Sequence, residues 1–275
     1  MRTYLKRCRW GEFLLIQGDM ISEYVNLYGE WSEGEVEVFR RLLPEDGVVI
    51  EVGSNIGMHA VPLSQFCARG RVFCYEPQRV IFQILCANLA LNNLTNVVAQ
   101  PCAVGDKNTF IEIEGGDYDR PWNYGAFSVD SGFNAESRFT GDIRKEQARL
   151  LRLDDDPLLQ NIQRLDFLKI DAEGYECDVM NGAKRLIKKF QPMIFAELTS
   201  SNNFDHVWNE MLRRGYRCYW VCSQRARKNN FNQAQWLMPG QDTNLLGAPQ
   251  DRPQPGGLVE VKGAADLQQK KVPLY

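Results

Sequence analysis

The 275-residue chain lacks the features that would place it in several large classes of protein. It has no apolar run close to the roughly 20 residues that a membrane-spanning helix needs. Its N-terminal run FLLI (13–16) is too short for the core of a signal peptide. The net charge is −3, so no basic excess indicates a nucleic-acid partner. These absences predict a soluble cytoplasmic protein with no membrane span and no nucleic-acid partner.

Metal-binding and disulfide patterns are also missing. The chain has two histidines, and none of its eight cysteines forms a C-x-x-C motif, so a Cys/His zinc site is not expected. Several cysteines lie inside apolar runs, which predicts reduced thiols that pack as small hydrophobic side chains. Hard cations prefer several oxygen ligands, and only two acids can be assigned to one place in the chain, so no metal site is predicted.

Short β-like runs alternate with helical stretches between residues 47 and 222. The stretches 78–93 and 175–190 have the apolar periodicity of helices. Strands separated by helices are typical of βαβ units, so an α/β fold is expected, with a mainly parallel sheet covered by helices on both faces. The predicted strands are Val48–Val52, Val72–Tyr75, Val97–Cys102, Phe167–Ile170 and Met193–Glu197.

Three regions depart from this alternation and divide the chain. Residues 1–46 are expected to form a hairpin and then a helix from Ser32, where SEGE resembles a capping box. The main domain is assigned to 47–222, with an aromatic and Gly-rich insertion at 106–150 near the acceptor site. The polar segment 223–275 is expected to pack on or near the active site.

The turn after the first predicted strand indicates a nucleotide site. Glu51 ends the strand, and Gly53 and Gly57 follow with Asn55 between them. Parallel sheets bind ligands at the carboxyl ends of their strands, and glycines there permit a tight turn and close backbone approach. Dinucleotide enzymes place a further glycine where Asn55 stands, because a pyrophosphate occupies the helix N-terminus. A ligand that carries a cation and a carboxylate suits this turn better.

Acids recur at the ends of the other predicted strands. Glu76 lies 19 residues after Gly57, where a carboxylate can accept hydrogen bonds from both ribose hydroxyls. Asp171 and Glu173 follow the fourth strand, and Glu197 ends the fifth. Each acid alone could be a helix cap or a solvated edge. Their recurrence at four strand ends predicts one ligand site.

Several segments resemble the FkbM-type methyltransferases, which are class I S-adenosylmethionine-dependent enzymes. The most specific are VVIEVGSNIGMHAV (48–61) and LDFLKIDAEGYE (165–176). The resemblance covers about residues 45–200, weakens over 106–145 and returns faintly at DTNLLGAP (242–249). It implies a Rossmann-like class I methyltransferase fold with a seven-stranded sheet and S-adenosylmethionine across the strand ends.

The resemblance also implies which residues contact the cofactor. The glycine turn would line the methionine part, Glu76 would bind the ribose and the segment 102–104 would flank the adenine. Glu51 replaces the Asp that many class I enzymes have, a change expected to be tolerated. The implied cofactor-binding residues are Glu51, Gly53, Ser54, Asn55, Gly57, Glu76, Pro77, Cys102, Ala103, Val104 and Asp171.

Asp171, Glu173 and His59 are the candidate catalytic residues. Methyl transfer is an in-line displacement, so the enzyme mainly aligns the reactants, and a base helps as a hydroxyl acceptor loses its proton. Two carboxylates in one pocket would raise the pKa of one of them, which favours Asp171 or Glu173 as the base. His59 is the next candidate, with a hydrogen bond to cofactor or backbone as its alternative role.

The acceptor is expected to be a small molecule, glycan or peptide. O-methylation of a hydroxyl on a sugar, glycan or natural product is the leading hypothesis, and N-methylation of peptide side-chain amides remains open. A nicotinamide-dependent oxidoreductase is disfavoured because Asn55 stands where such enzymes have their central glycine. A non-catalytic module is disfavoured because Asp171 and Glu173 are retained. The candidate acceptor residues are Arg120, Trp122, Asn123, Tyr124 and Glu197, although the loop aromatics could instead pack onto the sheet.

Overall fold

A computed structural model describes residues 1–129, 132–133, 139–198, 201–238 and 240–268. Within these ranges no helix has both the length and the apolar character to cross a bilayer. All eight cysteines are free thiols. The helices are α1 (Met20–Tyr28), α2 (Glu33–Leu42), α3 (Ala60–Phe66), α4 (Arg79–Leu91), α5 (Glu176–Gly182), α6 (Lys184–Phe190), α7 (Ser201–Arg213) and α8 (Ala265–Gln268).

The strands form a hairpin, a central sheet and a smaller sheet. The hairpin consists of β1 (Thr3–Cys8) and β2 (Gly11–Ile16), and the three-stranded sheet of β6 (Cys102–Val104), β7 (Thr109–Gly115) and β8 (Arg144–Leu151). The central sheet consists of β3 (Val48–Val52), β4 (Arg71–Tyr75), β5 (Val97–Gln100), β9 (Phe167–Ile170), β10 (Met193–Glu197), β11 (Tyr216–Gln224), β12 (Gln241–Pro249) and β13 (Val259–Glu260). Its order is β13-β11-β12-β10-β9-β3-β4-β5.

The parallel half of the central sheet places the predicted strand ends side by side. Strands β5, β4, β3, β9 and β10 run parallel, with Val52 opposite both Tyr75 and Ile170. Because these strands end at one edge, the residues that follow them lie together. The segments after Val52, Tyr75 and Ile170 therefore border one cleft.

Apolar side chains cover both faces of this sheet. Val49, Val72 and Phe167 point into a core shared with α3, α4 and the hairpin. Their neighbours Ile50 and Leu168 point into the opposite core, with α5, α6 and α7. Successive strand residues face opposite sides, and both sides are apolar, as expected for a parallel sheet between helical layers. The expected α/β architecture is confirmed.

Three details differ from the sequence-based expectations. The predicted strand 97–102 is two strands in different sheets, because Pro101 cannot donate to a ladder. The predicted helix 175–190 is interrupted at Ala183 and forms α5 and α6. The sheet contains the expected seven strands and also β13, a two-residue strand at its edge.

The strand β12 belongs to the segment that the sequence assigned to a polar C-terminal region. It pairs antiparallel with β10 on one side and with β11 on the other. Glu197 lies opposite Asn244 in the first of these ladders. Residues 241–249 are therefore part of the central sheet and bring C-terminal side chains to the cleft.

The N-terminal 46 residues contain the expected hairpin and the helix after Ser32, together with α1, which was not expected, and the capping box does not form. Ser32 has a left-handed backbone, with φ 42°, and its side chain makes no capping hydrogen bond. Its hydroxyl instead lies 3.3 Å from Asp242 Oδ2. The Glu35 carboxyl group points away from the helix end and accepts hydrogen bonds from Ser223 and Asn244.

Candidate active site

A cavity of about 730 Å³ lies at the carboxyl ends of β3, β4, β9 and β10. This volume is within the range of small-molecule and cofactor sites. One wall contains the residues after β3 and β4 together with the segment 102–104, and the opposite wall is built by α2, β10 and the β11–β12 connection. The segment 123–129 borders the cavity as well.

The glycine turn is held by backbone contacts. The N–H groups of Gly53 and Ser54 both donate to the carbonyl of Tyr75, at 2.9 and 3.1 Å. Gly53 has φ +77°, and a Cβ there would lie 1.7 Å from the backbone oxygen of Asp171. Only glycine fits where the two strand ends approach so closely. Gly53 and Asn55 line the cavity, whereas Ser54 and Gly57 are not among the lining residues.

Glu76 fixes this turn from the neighbouring strand. Its Oε2 accepts a hydrogen bond from the backbone N–H of Asn55 at 2.9 Å, and its Oε1 accepts one from Gln78 at 2.9 Å. Asn55 has a left-handed backbone, with φ 47°, which aims that N–H at the carboxyl group. Burial raises the pKa of Glu76 to about 7, although both hydrogen bonds favour the charged form.

Glu51 lies behind the cavity rather than in its wall. It is fully buried, and the cavity lining does not include it. Its carboxyl group is 3.6 Å from the ammonium of Lys169, which is itself 1% exposed. Lys169 also pairs with Asp171 at 2.9 Å. The structure therefore places Glu51 in a buried ion network under the cavity, and the contact with the cofactor that the resemblance implies stays a prediction.

Asp171, Glu173 and Glu197 meet at the base of the cavity. Each offers a carboxylate oxygen within 4.8 Å of the others, so among the described residues this is the group that could hold a metal ion. Burial opposes the charge of Asp171, but the Lys169 ammonium and a hydrogen bond from Glu197 together lower the pKa of Asp171. Burial and the neighbouring Asp171 raise the pKa of Glu197 well above its usual range. Of the two, Glu197 is therefore the group whose environment favours the neutral form.

The opposite pKa shifts of Asp171 and Glu197 affect which carboxylate can act as the predicted base. The expectation that one carboxylate of a pair would have a raised pKa holds for Glu197, which sequence reasoning placed with the acceptor. Asp171 keeps its charge at neutral pH and is a weak base. The expectation of no metal site stays a prediction, and Lys169 already supplies a positive charge beside Asp171.

The wall opposite the glycine turn is polar and aromatic. Arg225 forms an ion pair with Asp242 at 2.9 Å, and its guanidinium carbon lies 5.9 Å from the centre of the Trp31 ring. Burial raises the pKa of Asp242 despite this ion pair. Glu35 completes the wall. Sequence reasoning named none of these four residues as part of the site, although it expected the segment 223–275, which contains Arg225 and Asp242, to pack near it.

His59 lies at the N-terminal end of α3 and lines the cavity. It is 7% exposed, and its Nε2 has no hydrogen-bond partner among the described residues. Burial and then the nearby Lys169 lower the pKa of His59 to about 3. The imidazole is therefore neutral at physiological pH.

The predicted acceptor residues divide into two groups. Asn123 and Glu197 line the cavity. Trp122 and Tyr124 point into an aromatic cluster around Phe133 instead, with ring centroids 5.3 and 6.2 Å from it. Arg120 is outside the lining and its side chain is 60% exposed. The sequence left open that the loop aromatics pack into a core, and Trp122 and Tyr124 do so.

The remaining predicted cofactor residues lie on one wall. Pro77, Cys102, Ala103 and Val104 line the cavity beside Glu76, close to Val52 and Tyr75. Gln78 was missed by sequence reasoning; its side-chain amide donates to the carbonyl of Tyr124 at 2.9 Å and connects this wall to the insertion.

Comparisons with known proteins find similarity to methyltransferases. The family model described as "Methyltransferase FkbM domain" matches residues 51–218. "Methyltransferase 1" of Beauveria bassiana is 25% identical over 149 residues, which are 50% of this chain and 59% of that protein. "Methyltransferase sdnD" of Sordaria araneosa is 26% identical over 162 residues, which are 51% and 61% of the two chains.

One solved structure is a "Methyltransferase FkbM" from Methylobacillus flagellatus. It aligns with a TM-score of 0.47 and 18% identity, and the alignment covers 74% of this chain and 44% of that chain. The chain spans about three fifths of the length of the two curated relatives. Glu35, Arg225 and Asp242 lie outside the segment that the family model matches.

Proposed function

The chain belongs to the FkbM methyltransferase family, and from this we propose that it binds S-adenosylmethionine and methylates a hydroxyl group of a small polar acceptor. The observation that carries the proposal is the pairing of the Gly53–Asn55 turn with Glu76 in one cavity wall. This wall offers a close backbone approach and a carboxylate for a ribose diol.

The chemistry of the lining residues fits this cofactor. Glu76 would accept the ribose hydroxyls, and the apolar surface of Val52, Cys102 and Val104 would contact the adenine. Asp171 and Glu173 supply negative charge beside the region where the cationic methionine end would lie. When bound, the cofactor would supply an activated methyl group, so the residues around it need only orient the reactants and exclude water.

The charge of the cavity supports a neutral or cationic acceptor. Arg225 is the one lysine or arginine among the described lining residues. The lining acids are Glu35, Glu76, Asp171, Glu173, Glu197 and Asp242. Polyanionic acceptors such as nucleic acids would be repelled. Carboxylates beside Trp31 suit a polyhydroxylated molecule such as a sugar or a natural product, because they accept hydrogen bonds from hydroxyls.

Thermal unfolding with S-adenosylhomocysteine tests the proposal. At about 100-fold excess over Kd, a ligand that binds only the native state adds about 2.7 kcal/mol, which raises Tm by about 5–10 °C for a chain of this size. NAD⁺ at the same concentration is expected to leave Tm unchanged. A shift with NAD⁺ and none with S-adenosylhomocysteine would contradict the proposal and favour an oxidoreductase.

A further inference from the structure

Glu35 of α2 enters the cavity from outside the segment that the methyltransferase family model matches. Its side chain is buried, and its Oε1 accepts two hydrogen bonds, from Ser223 Oγ at 3.0 Å and from Asn244 Nδ2 at 2.9 Å. These donors lie on β11 and β12. They hold one carboxyl oxygen in place, and the other oxygen faces His59.

His59 does not form a hydrogen bond with this second oxygen, Glu35 Oε2, which can therefore bind a ligand. The distance from His59 Nε2 to Glu35 Oε2 is 3.7 Å, longer than a hydrogen bond. The buried Nε2 has no other partner among the described residues. Native structures pair nearly all buried polar groups, so an unpaired nitrogen beside a fixed carboxyl group in the cavity wall is a position where a ligand atom can bind.

The position of Glu35 is on the acceptor side of the cavity. Asn244, which holds Glu35, lies opposite Glu197 in the ladder between β10 and β12. The glycine turn and Glu76 follow β3 and β4, on the far side of Asp171. A cofactor along the glycine turn would therefore leave Glu35 to face the second substrate.

We infer that Glu35 is the base that accepts the proton of the acceptor hydroxyl. This inference rests on the proposed function. The acceptor oxygen forms a bond to the methyl carbon as the sulfur–carbon bond breaks, and the electron pair of that bond stays on sulfur. The hydroxyl proton moves to Glu35 Oε2, so the carboxylate becomes a carboxylic acid that can donate to the neutral His59 and later release its proton to water.

The charges around Glu35 suit a base. Burial raises its pKa to about 8; Asp242 on β12 and Asp171 after β9 also raise it, whereas Lys169 on β9 lowers it. Arg225, which follows β11, is paired with Asp242. His59 on the facing helix is neutral. Glu35 therefore changes from acid to carboxylate as pH rises through about 8, and the rate of methyl transfer should rise with it.

Glu35→Gln tests the inference, with Glu33→Gln as its matched control. Glu33 lies on the same helix, is equally buried and accepts a hydrogen bond from Trp10 Nε1 at 3.0 Å, but does not line the cavity. The probe is methyl α-D-glucopyranoside with S-adenosylmethionine, read as S-adenosylhomocysteine release. Glu35→Gln should lower the rate by about 100-fold or more and abolish its rise with pH, because a general base contributes that much. Glu33→Gln should retain the native rate and its rise with pH.

A second measurement needs no acceptor. Protein labelled with ¹³C at its glutamate carboxyl groups and saturated with S-adenosylhomocysteine is titrated by NMR. A resonance with a midpoint of about pH 8 should be missing from Glu35→Gln and present in Glu33→Gln. A Glu35 carboxyl group that stays protonated up to about pH 10 would overturn the inference, even if the glucoside is not turned over, because a carboxylic acid cannot accept the hydroxyl proton.

Calorimetric binding of S-adenosylhomocysteine separates the two proposals. Failure of the native chain to bind it would overturn the proposed function and the inference together. Native-like binding with a native rate and pH profile in Glu35→Gln would overturn the inference alone. Native-like binding with a depressed, pH-independent rate in Glu35→Gln would support both.

Discussion

Replacing Lys169 by methionine should lower the free energy of unfolding by about 3–5 kcal/mol near neutral pH. Lys169 is 1% exposed and neutralises two acids, Asp171 at 2.9 Å and Glu51 at 3.6 Å. Without the ammonium, the fully buried Glu51 keeps no counter-ion and must either stay charged in an apolar core or take up a proton. Urea unfolding of native and variant chains measures the difference.

The exposed Lys188 on the surface of α6 provides the control, since Lys188→Met should change stability by less than about 0.5 kcal/mol. The double variant Glu51→Gln/Lys169→Met should recover part of the loss, because it removes one unpaired charge. A Lys169→Met chain as stable as the native one would show that the ion network is dispensable.

The pH dependence of this effect has a defined sign. The pKa of Asp171 is lowered in the folded chain, mainly by Lys169 against the effect of burial. A lowered carboxyl pKa contributes stability above the unfolded pKa of about 4, and this contribution disappears as pH falls through the folded pKa. The stability gap between Lys169→Met and the native chain should therefore narrow below about pH 4.

Replacing Glu76 by alanine should weaken the binding of S-adenosylhomocysteine by about 100-fold or more. A carboxylate that accepts hydrogen bonds from two ribose hydroxyls contributes about 1.5–3 kcal/mol for each bond. The same carboxyl group also fixes the N–H of Asn55 at 2.9 Å, so its loss loosens the turn. Isothermal titration calorimetry of the variant and the native chain gives the ratio, with the exposed Glu112→Ala as control.

A ligand without ribose hydroxyls separates the two contributions of Glu76. The 2′,3′-dideoxy analogue of S-adenosylhomocysteine should bind the native chain weakly and should lose little more in Glu76→Ala. Equal losses for both ligands would mean that Glu76 acts only through the turn. Because its pKa is about 7, native affinity should also fall by roughly tenfold from about pH 8 to pH 6, as the carboxylate takes up a proton.

The cavity wall that contains the glycine turn and Glu76 could be predicted because its signals are local in the sequence. A strand, a glycine turn and an acid at the next strand end lie within 26 residues, from Glu51 to Glu76. Parallel strand order then brings these ends together, with Asp171 beside Gly53. The ion pair of Glu51 had no local signal, because its buried partner Lys169 belongs to a strand more than 100 residues further along the chain.

The acceptor side could not be predicted in the same way. Ser32 and Asp242 meet across 210 residues of sequence, and no periodic pattern reports such a contact. The S-x-x-E spacing around Glu35 is the same in a capping box and in this cavity wall, so spacing alone favoured the commoner structure. Aromatic residues near glycines indicate either a binding loop or a small core, and at Trp122 and Tyr124 packing determined the outcome.

Strand β12 lies between β10 and β11 in the sheet, although it follows both in the sequence. The sheet can therefore be completed only after β12 has been synthesised. Strand β11 is translated before β12, yet it is joined to β10 only through that later strand. An incomplete chain would therefore expose the apolar edge of β10, the kind of unpaired edge that recruits other chains. The strands β3, β4 and β9 are translated before β12, so Asn244 and the wall that holds Glu35 are completed later than the glycine turn.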